Sequence, residues 1–433
     1  MFTTFHYRTR QDRKRKEILQ LDDYTDIKGA VYASVCDRLA CRREADDAQV
    51  MDIIRKCIVD DTDSIKLTAR QRSLMCHELF NRIRRLDVLT DLLEDDSITE
   101  IMVNGTEEIF VERAGRIEGA GVRFESRERL VDIIGSIAAH VNRTINLSNP
   151  ILDARLENGS RINAVLDPVA INGPTLTIRR FPKSPIDADS LIRMGSISEE
   201  ATEFLRKLVI SGYNILISGC TGSGKTTLLN VLSGFIPKDE RVITIEDSAE
   251  LKISGIRNLV RLETRDATAG GCSRITIRDL IRTSLRMRPD RIVVGEVRGE
   301  EAIDMLQAFN VGSDGSLSTI HANSAEDALS RLETMIMLST GIPSDALRRQ
   351  MVSGIDIIVH LGRLRDRSRH VLQINEVDRT GYTKVATRPL FRYVETGVSG
   401  SKVCGELLWE NDPVNTEKLE RAGFELQKRG RYE

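Results

Sequence analysis

The chain has 433 residues, room for two or three domains of about 150 residues each. Hydrophobic residues make up 40% and charged residues 30%, a globular mixture that excludes a disordered or fibrous chain. Lys+Arg 63 against Asp+Glu 65 leaves a net charge of -2, and aromatics are only 4% with one Trp, so neither a phosphate-neutralising surface nor a base-stacking platform is expected and no nucleic-acid partner is called for.

No apolar run approaches the ~20 residues that span a bilayer. The N-terminus, MFTTFHYRTRQDRKRKE, lacks the apolar core of a secretory signal, so a cytoplasmic location is expected. The basic residues Arg8, Arg10, Arg13, Lys14, Arg15 and Lys16 read as a solvated arm, with peripheral contact to anionic lipid as the alternative. The seven cysteines (Cys36, Cys41, Cys57, Cys76, Cys220, Cys272, Cys404) are odd in number and form no CxxC pair, which argues for reduced thiols over a disulfide framework or a zinc site.

From about 28 to 93 the apolar residues recur at helical spacing. Leu79, Ile83, Leu86 and Leu89, extended by Leu92 and Leu93, predict one continuous stripe in a module of two or three helices. Residues 98–103 (ITEIMV) and 109–112 (IFVE) read as short strands, and 126–141 as a helix with Ser126 as N-cap. ILDARL (151–156) and RINAVL (161–166) flank Asn158-Gly159, a hairpin signal, and TLTIRRF (175–181) reads as a further strand. The segment 95–181 is therefore expected to be an α+β domain with an antiparallel sheet. FPKSPIDADS (181–190) is the linker candidate. Beyond it strands alternate with helices: 214–219, a helix from Lys225, 241–246, 258–263, a helix near 276–287, 291–296, a helix near 299–309, 316–320 and a helix from Ala325. That order predicts a mostly parallel sheet covered on both faces.

Between the strand at 214–219 and its helix stands GCTGSGKT (219–226), which fits G-x-x-x-x-G-K-[ST] in the required context. Gly219, Gly222 and Gly224 let backbone N–H groups turn around phosphate oxygens. Cys220, Thr221, Ser223 and Thr227 complete the cradle, with Cys220 as filler. The helix N-terminus adds partial positive charge. Lys225 is expected to reach the β/γ-phosphates and Thr226 to ligate Mg²⁺, so ATP and Mg²⁺ are the expected ligands.

Hydrolysis further needs an acid near the metal and the attacking water. Glu296 ends the apolar strand RIVVGE where a Walker B Asp is missing, and serves as candidate base and Mg²⁺ ligand. Glu246 ends ITIE, on the same edge if the strands run parallel. STIHAN (318–323) places His321 and Asn323 at a further strand end, within reach of a γ-phosphate, with His321 as its sensor. Arg278 and Arg286, from the arginine-rich segment 276–291, are catalytic candidates for charge on the γ-phosphate, and Arg155, Arg161, Arg179 and Arg180 are candidates for nucleotide binding.

These blocks, with SITEIMVNG (97–105), DARLENGSRINAV (153–165), GPTLTIRRF (173–181), TIRDLIRTSLRMRPDRIVVGEVRG (276–299) and TIHANSAEDALSRLE (319–333), closely resemble the CpaF/TadA-type (tight-adherence) secretion ATPases of the type II/type IV secretion and pilus ATPase superfamily, over about 90–395. The resemblance implies a cytoplasmic homohexameric ring. It implies that ATP hydrolysis is coupled, through an inner-membrane platform protein, to assembly or retraction of a Flp-type pilus or to protein secretion. A conjugation-like type IV secretion ATPase is the alternative, and a nucleic-acid motor a more distant one. By position, Lys225 and Thr226 belong to Walker A, Glu246 to the Asp box, Glu296 to the atypical Walker B and His321 to the His box; whether Glu246 or Glu296 is the base stays open. Ser313 stands where relatives often carry a first His-box histidine. The expected architecture is α/β: a helical module with a basic arm (1–90), a smaller α+β, PAS-like domain (91–181), a linker (182–195), a RecA-like P-loop domain (196–390) and a charged C-terminal tail (391–433).

Overall fold

The computed structural model describes residues 21–40, 42, 45–61, 67–113, 115–156, 158–180, 186–265, 273–379, 385–400 and 402–425. The basic arm at 8–16, Cys41, Cys272 and the first linker residues, 181–185, lie outside them. The chain divides into two compact units, Met1–Phe181 and Pro182–Glu433.

The first unit opens with the helices α1 (Leu21–Ala40), α2 (Asp47–Asp61) and α3 (Ala69–Arg84), followed by the short α4 (Leu89–Glu94). A capping box between Thr68 and Gln71 starts α3. Val31, Val35, Ile54, Met75 and Leu79 form the core of the three helices. The single stripe expected from Leu79 to Leu93 is split. The backbone leaves the helix after Arg84 and takes a left-handed turn at Asp87 (φ 54). Leu79 and Ile83 therefore serve the helical core, while Leu86, Leu89, Leu92 and Leu93 serve the core under the sheet that follows.

That sheet contains β1 (Ile98–Asn104), β2 (Glu108–Arg113), β3 (Arg116–Gly119), β4 (Ile151–Arg155), β5 (Arg161–Val165) and β6 (Thr175–Arg179), with α5 (Arg127–His140) between β3 and β4. Its order is β3-β2-β1-β6-β5-β4 and every pairing is antiparallel. Ser126 caps α5 by accepting from Arg129 N–H. Gly159 (φ 89) turns the β4–β5 hairpin. Strand β3 is exposed throughout and so carries no apolar alternation to signal it.

The second unit begins with α6 (Ala188–Arg193) and α7 (Glu199–Ile210). The expected linker 182–195 is thus in part a helix: Asp187 caps it by accepting from Ser190 N–H, and Leu191 is buried in the core. There follow β7 (Ile215–Gly219), α8 (Lys225–Ser233), β8 (Arg241–Glu246), β9 (Asn258–Glu263), α9 (Ile277–Ser284), β10 (Arg291–Val297), α10 (Glu301–Asn310), β11 (Leu317–Ile320), α11 (Ala325–Ser339), α12 (Ser344–Gly354), β12 (Ile357–Arg363), β13 (Arg369–Val377), β14 (Thr387–Ser399), β15 (Lys402–Trp409) and α13 (Glu417–Arg421). The nine-stranded sheet runs β15-β14-β13-β12-β7-β11-β10-β8-β9. From β12 to β9 all pairings are parallel; β13, β14 and β15 are added antiparallel. Alternation along the strands supplies both faces: Ile215, Ile217 and Val293 join the core beside α7 and α8, while Leu216, Ile292 and Val294 join the core beside α10 and α11.

Residues 391–433, expected as a charged tail, instead carry β14, β15 and α13 as far as they are described. Phe391, Leu407 and Leu419 are buried, and Trp409 packs edge-on against Phe204 (5.2 Å) and Phe391 (4.7 Å). The charges alternate with these inward residues and mask them in composition. No helix among the described residues is long and apolar enough to cross a membrane.

Candidate active site

Every residue of β7 is buried, and the strand delivers the chain into the glycine-rich loop. Three loop glycines hold conformations that side chains rarely adopt: Gly219 (φ 154), Gly222 (φ 72) and Gly224 (φ 102). At Gly219 space forbids a side chain as well, since a Cβ would lie 2.5 Å from both Leu361 O and Ser223 Oγ. Gly224 is the N-cap of α8, and no side chain caps the helix, whose first turn offers its N–H groups and positive dipole end to an anion. Lys225 is buried and donates to the carbonyl oxygens of Gly219 (2.9 Å) and Cys220 (3.2 Å). Thr226 and Thr227 are half-buried just behind it and Thr221 is exposed. Ser223 Oγ is buried without a hydrogen-bond partner, and Cys220 Sγ is exposed and donates to Asn323 Oδ1 at 3.5 Å.

Because β7, β11, β10 and β8 are parallel, Gly219, His321, Glu296 and Glu246 emerge at one edge of the sheet, as expected from their strand-end positions. Glu246 is 3% exposed. Its Oε1 accepts from the N–H groups of Glu250 (2.8 Å) and Leu251 (2.9 Å), while Oε2 is buried with no partner among the described residues. Burial outweighs these bonds and pushes the carboxyl up to about 7. Glu296 is held otherwise: Arg298 donates to its Oε2 from Nη2 (2.8 Å) and Nε (3.1 Å), and Arg298 Nη1 lies 3.7 Å from Asp247 Oδ2. Burial, with the positive charges of Lys225 and Arg331, holds the His321 imidazole below its usual range.

The arginine candidates separate. Arg278 donates to Asp304 (2.8 Å) and Glu300 (2.8 Å), and Arg282 to Asp304 (2.7 Å), which ties α9 to α10. Arg286 is exposed just past α9. In the first unit Arg155, Arg161 and Arg179 are direct cross-strand partners on β4, β5 and β6 and so form one row. Arg180 does not join it: its guanidinium is largely buried and donates to the carbonyls of Asp95 and Ile98 and to Asp96. Ser313 lies before β11, at the edge opposite the loop, buried with its carbonyl accepting from Ser316 Oγ. The His-box substitution therefore leaves the glycine-rich edge of this unit unchanged.

Sequence reasoning passed over Arg298, and it placed Asn323 at the strand end with His321 without foreseeing its contact with Cys220. The signal for Arg298 was present, since in an extended chain residues 296 and 298 share a face. Asn323 reaches Cys220 only through the β7–β11 pairing. As for a metal, the Thr226 hydroxyl and the Glu296 carboxylate are hard oxygen donors of the kind Mg²⁺ takes, and one or two protein ligands suffice when phosphates supply the rest. Among the described residues no cluster of three or more His, Cys, Asp or Glu side chains could cage a metal alone.

The sequence profile of the family described as "Type II/IV secretion system protein" matches residues 84–409. The chain belongs to this family. Among relatives, an uncharacterised protein of Methanocaldococcus jannaschii is 46% identical over 246 residues, which are 54% of this chain but 34% of that longer protein. Type IV secretion system protein PtlH of Bordetella pertussis is 36% identical over 305 residues (64% of this chain, 89% of PtlH). The conjugal transfer protein TrbB of Rhizobium radiobacter is 35% identical over 283 residues (64% and 83%). Among solved structures, the VirB11 ATPase of the Brucella suis type IV secretion system, in complex with sulphate, is 31% identical, covering 66% of this chain and 91% of that one, with a TM-score of 0.37. The family profile begins inside α3, so α1 and α2 lie outside it.

Proposed function

We propose that this family member is an ATPase, converting ATP and water to ADP and phosphate, that works as a homohexamer and powers assembly or retraction of a Flp/Tad-like pilus, or protein secretion, through an inner-membrane platform protein. The observation that carries the hydrolytic reading is the state of Glu246 at the strand-end edge that also carries the phosphate loop. One carboxylate oxygen is fixed by two backbone N–H groups, the other is buried and unpartnered, and the group titrates about neutrality.

In this reading the α8 N-terminus and Lys225 bind the phosphates, Lys225 exchanging the Gly219 and Cys220 carbonyls for phosphate oxygens. Thr226 and Glu296 hold Mg²⁺, which would neutralise charge on the phosphate oxygens when bound. The free oxygen of Glu246 orients the attacking water and takes its proton. Glu296 Oε2 is occupied by two donors from Arg298. His321, kept neutral by its surroundings, can donate or accept a hydrogen bond at the γ-phosphate. Arg155, Arg161 and Arg179, a row of three guanidinium groups on adjacent strands, are the candidates of the first unit for nucleotide phosphate. Arg286 is free of the α9–α10 clamp and is the stronger of the two segment arginines for transition-state charge; Arg278 is committed to Asp304 and Glu300.

The test is steady-state phosphate release. Lys225→Ala and Glu246→Gln should each lower turnover by at least about a hundredfold, and unaltered turnover in either overturns the reading. DNA should neither bind at modest salt nor stimulate release. A second reading, an ATPase of a conjugation-like type IV secretion system, is supported by the resemblance to TrbB and PtlH. The helices ahead of the family profile favour the CpaF/TadA branch. Stimulation of turnover by a platform membrane protein encoded beside a small pilin separates the two.

A further inference from the structure

Arg363, the last residue of β12, is used by none of the roles above. Strand β12 pairs with β7 in parallel as far as Leu361 opposite Gly219, so its final residues run on beside the phosphate loop. Residues 361 and 363 share a face of the strand, and both reach the loop. A Cβ built on Gly224 would lie 3.7 Å from Leu361 Cδ2, and one built on Gly222 would lie 3.5 Å from Arg363 Nη1. The guanidinium therefore stands directly over the fourth residue of the phosphate-binding motif.

Arg363 is exposed, and its guanidinium is open to a ligand at the loop. Arg363 is paired across the sheet with Arg369, a like charge directly opposite, which is unfavourable by itself. The neighbouring acids are engaged elsewhere: Glu395 with Arg365, and Asp366 with the N–H groups of Ser368 and Val403. Among the described residues no carboxylate pairs with Arg363. A guanidinium offers a planar fork suited to phosphate oxygens.

We infer that Arg363 is a nucleotide-binding residue that holds the β/γ end of the phosphate chain from the side of the loop away from Glu246. This rests on the nucleotide-site reading above, and it adds a cation from the same unit's own sheet to Lys225.

The experiment is equilibrium binding of fluorescent, mant-labelled ATP, ADP and AMP to the full chain, for wild type, Arg363→Ala, Arg363→Lys and the surface variant Arg365→Ala. Melting curves establish that each is folded. Arg363→Ala should weaken ATP and ADP by about tenfold or more, Arg363→Lys should recover part of the loss, and Arg365→Ala should match wild type. AMP should be affected least. If wild type binds the nucleotides and Arg363→Ala binds within twofold of it, the inference is wrong while the ATPase reading stands. If the loss is equal for AMP, or Arg365→Ala shares it, the phosphate contact is wrong. If wild type binds none of them, the nucleotide-site reading itself fails.

Discussion

Gly295 and Glu246 are in close opposition: a Cβ built on Gly295 would lie 3.2 Å from Glu246 Cγ and 3.6 Å from its Cβ. Residue 295, one before Glu296 on β10, thus sets the position of the carboxylate on the neighbouring strand β8. Gly295→Ala forces Glu246 to give by a few tenths of an ångström. It should lower kcat by about tenfold while leaving the affinity for ADP and the melting temperature nearly unchanged. A fall in ADP affinity as large as the fall in kcat would contradict this.

Glu246 should also govern a pH dependence. If its ionised form accepts the proton, kcat rises with pH through a midpoint about pH 7, and Glu246→Gln gives a low, flat profile. Stability moves in the opposite direction. The folded-state value lies above the ordinary 4.5, so the contribution is fully present below about pH 4.5 and lost as pH rises through about 7. Glu246→Gln should therefore be more stable than wild type at pH 8, on the order of 2–3 kcal/mol, with the advantage absent at pH 4. Denaturant titrations at the two pH values check it.

Arg180 and Arg161 should behave differently despite their shared place among the cationic candidates. Arg180 fills the polar turn at Asp95–Ile98. Arg180→Ala should destabilise the first unit by about 2 kcal/mol, leaving several carbonyls unsatisfied. Arg161→Ala, in the cross-strand arginine row, should cost less stability than Arg180→Ala but lower turnover. Thermal melts set beside phosphate release on both variants would show the contrast, and an Arg161→Ala destabilised more than Arg180→Ala would refute it.

Asp356 offers a test at the far edge of the sheet. It is 4% exposed and accepts from Asn214 N–H (2.8 Å) and Lys418 Nζ (2.9 Å), with Arg379 as a further partner. Asp356→Ala leaves the Asn214 N–H unsatisfied and takes the carboxylate from both Lys418 and Arg379, and should cost about 3 kcal/mol in urea unfolding. Truncation after Leu390 should be worse. It removes Phe391 and Trp409 from the cluster with Phe204 and should yield insoluble chain.

The parallel half of the large sheet and the phosphate loop were legible because each strand is a short apolar run bounded by turn residues and a helix-forming run follows it. Glu246, Glu296 and His321 could be placed at one edge before their contacts were known, because strand ends alone decide that. What escaped was of two kinds. Elements whose burial is halved by charge, such as β14 and β15, look like surface when only composition is weighed. Contacts between distant segments, such as Cys220 meeting Asn323 or Leu361 meeting Gly219, depend on strand order and local conformation, which no local pattern encodes. The stripe from Leu79 to Leu93 misled for a related reason: helical spacing continued across a break that one left-handed residue, Asp87, imposes.

The pinch at Gly219, with the carbonyl of Leu361 on one side and the hydroxyl of Ser223 on the other, leaves the motif no room to slide past β12. Phosphate loop and strand are joined like two teeth in mesh. The first glycine can shift only if Leu361 shifts with it, and Leu361 lies on the strand from which the antiparallel ribbon ending at Trp409 is built.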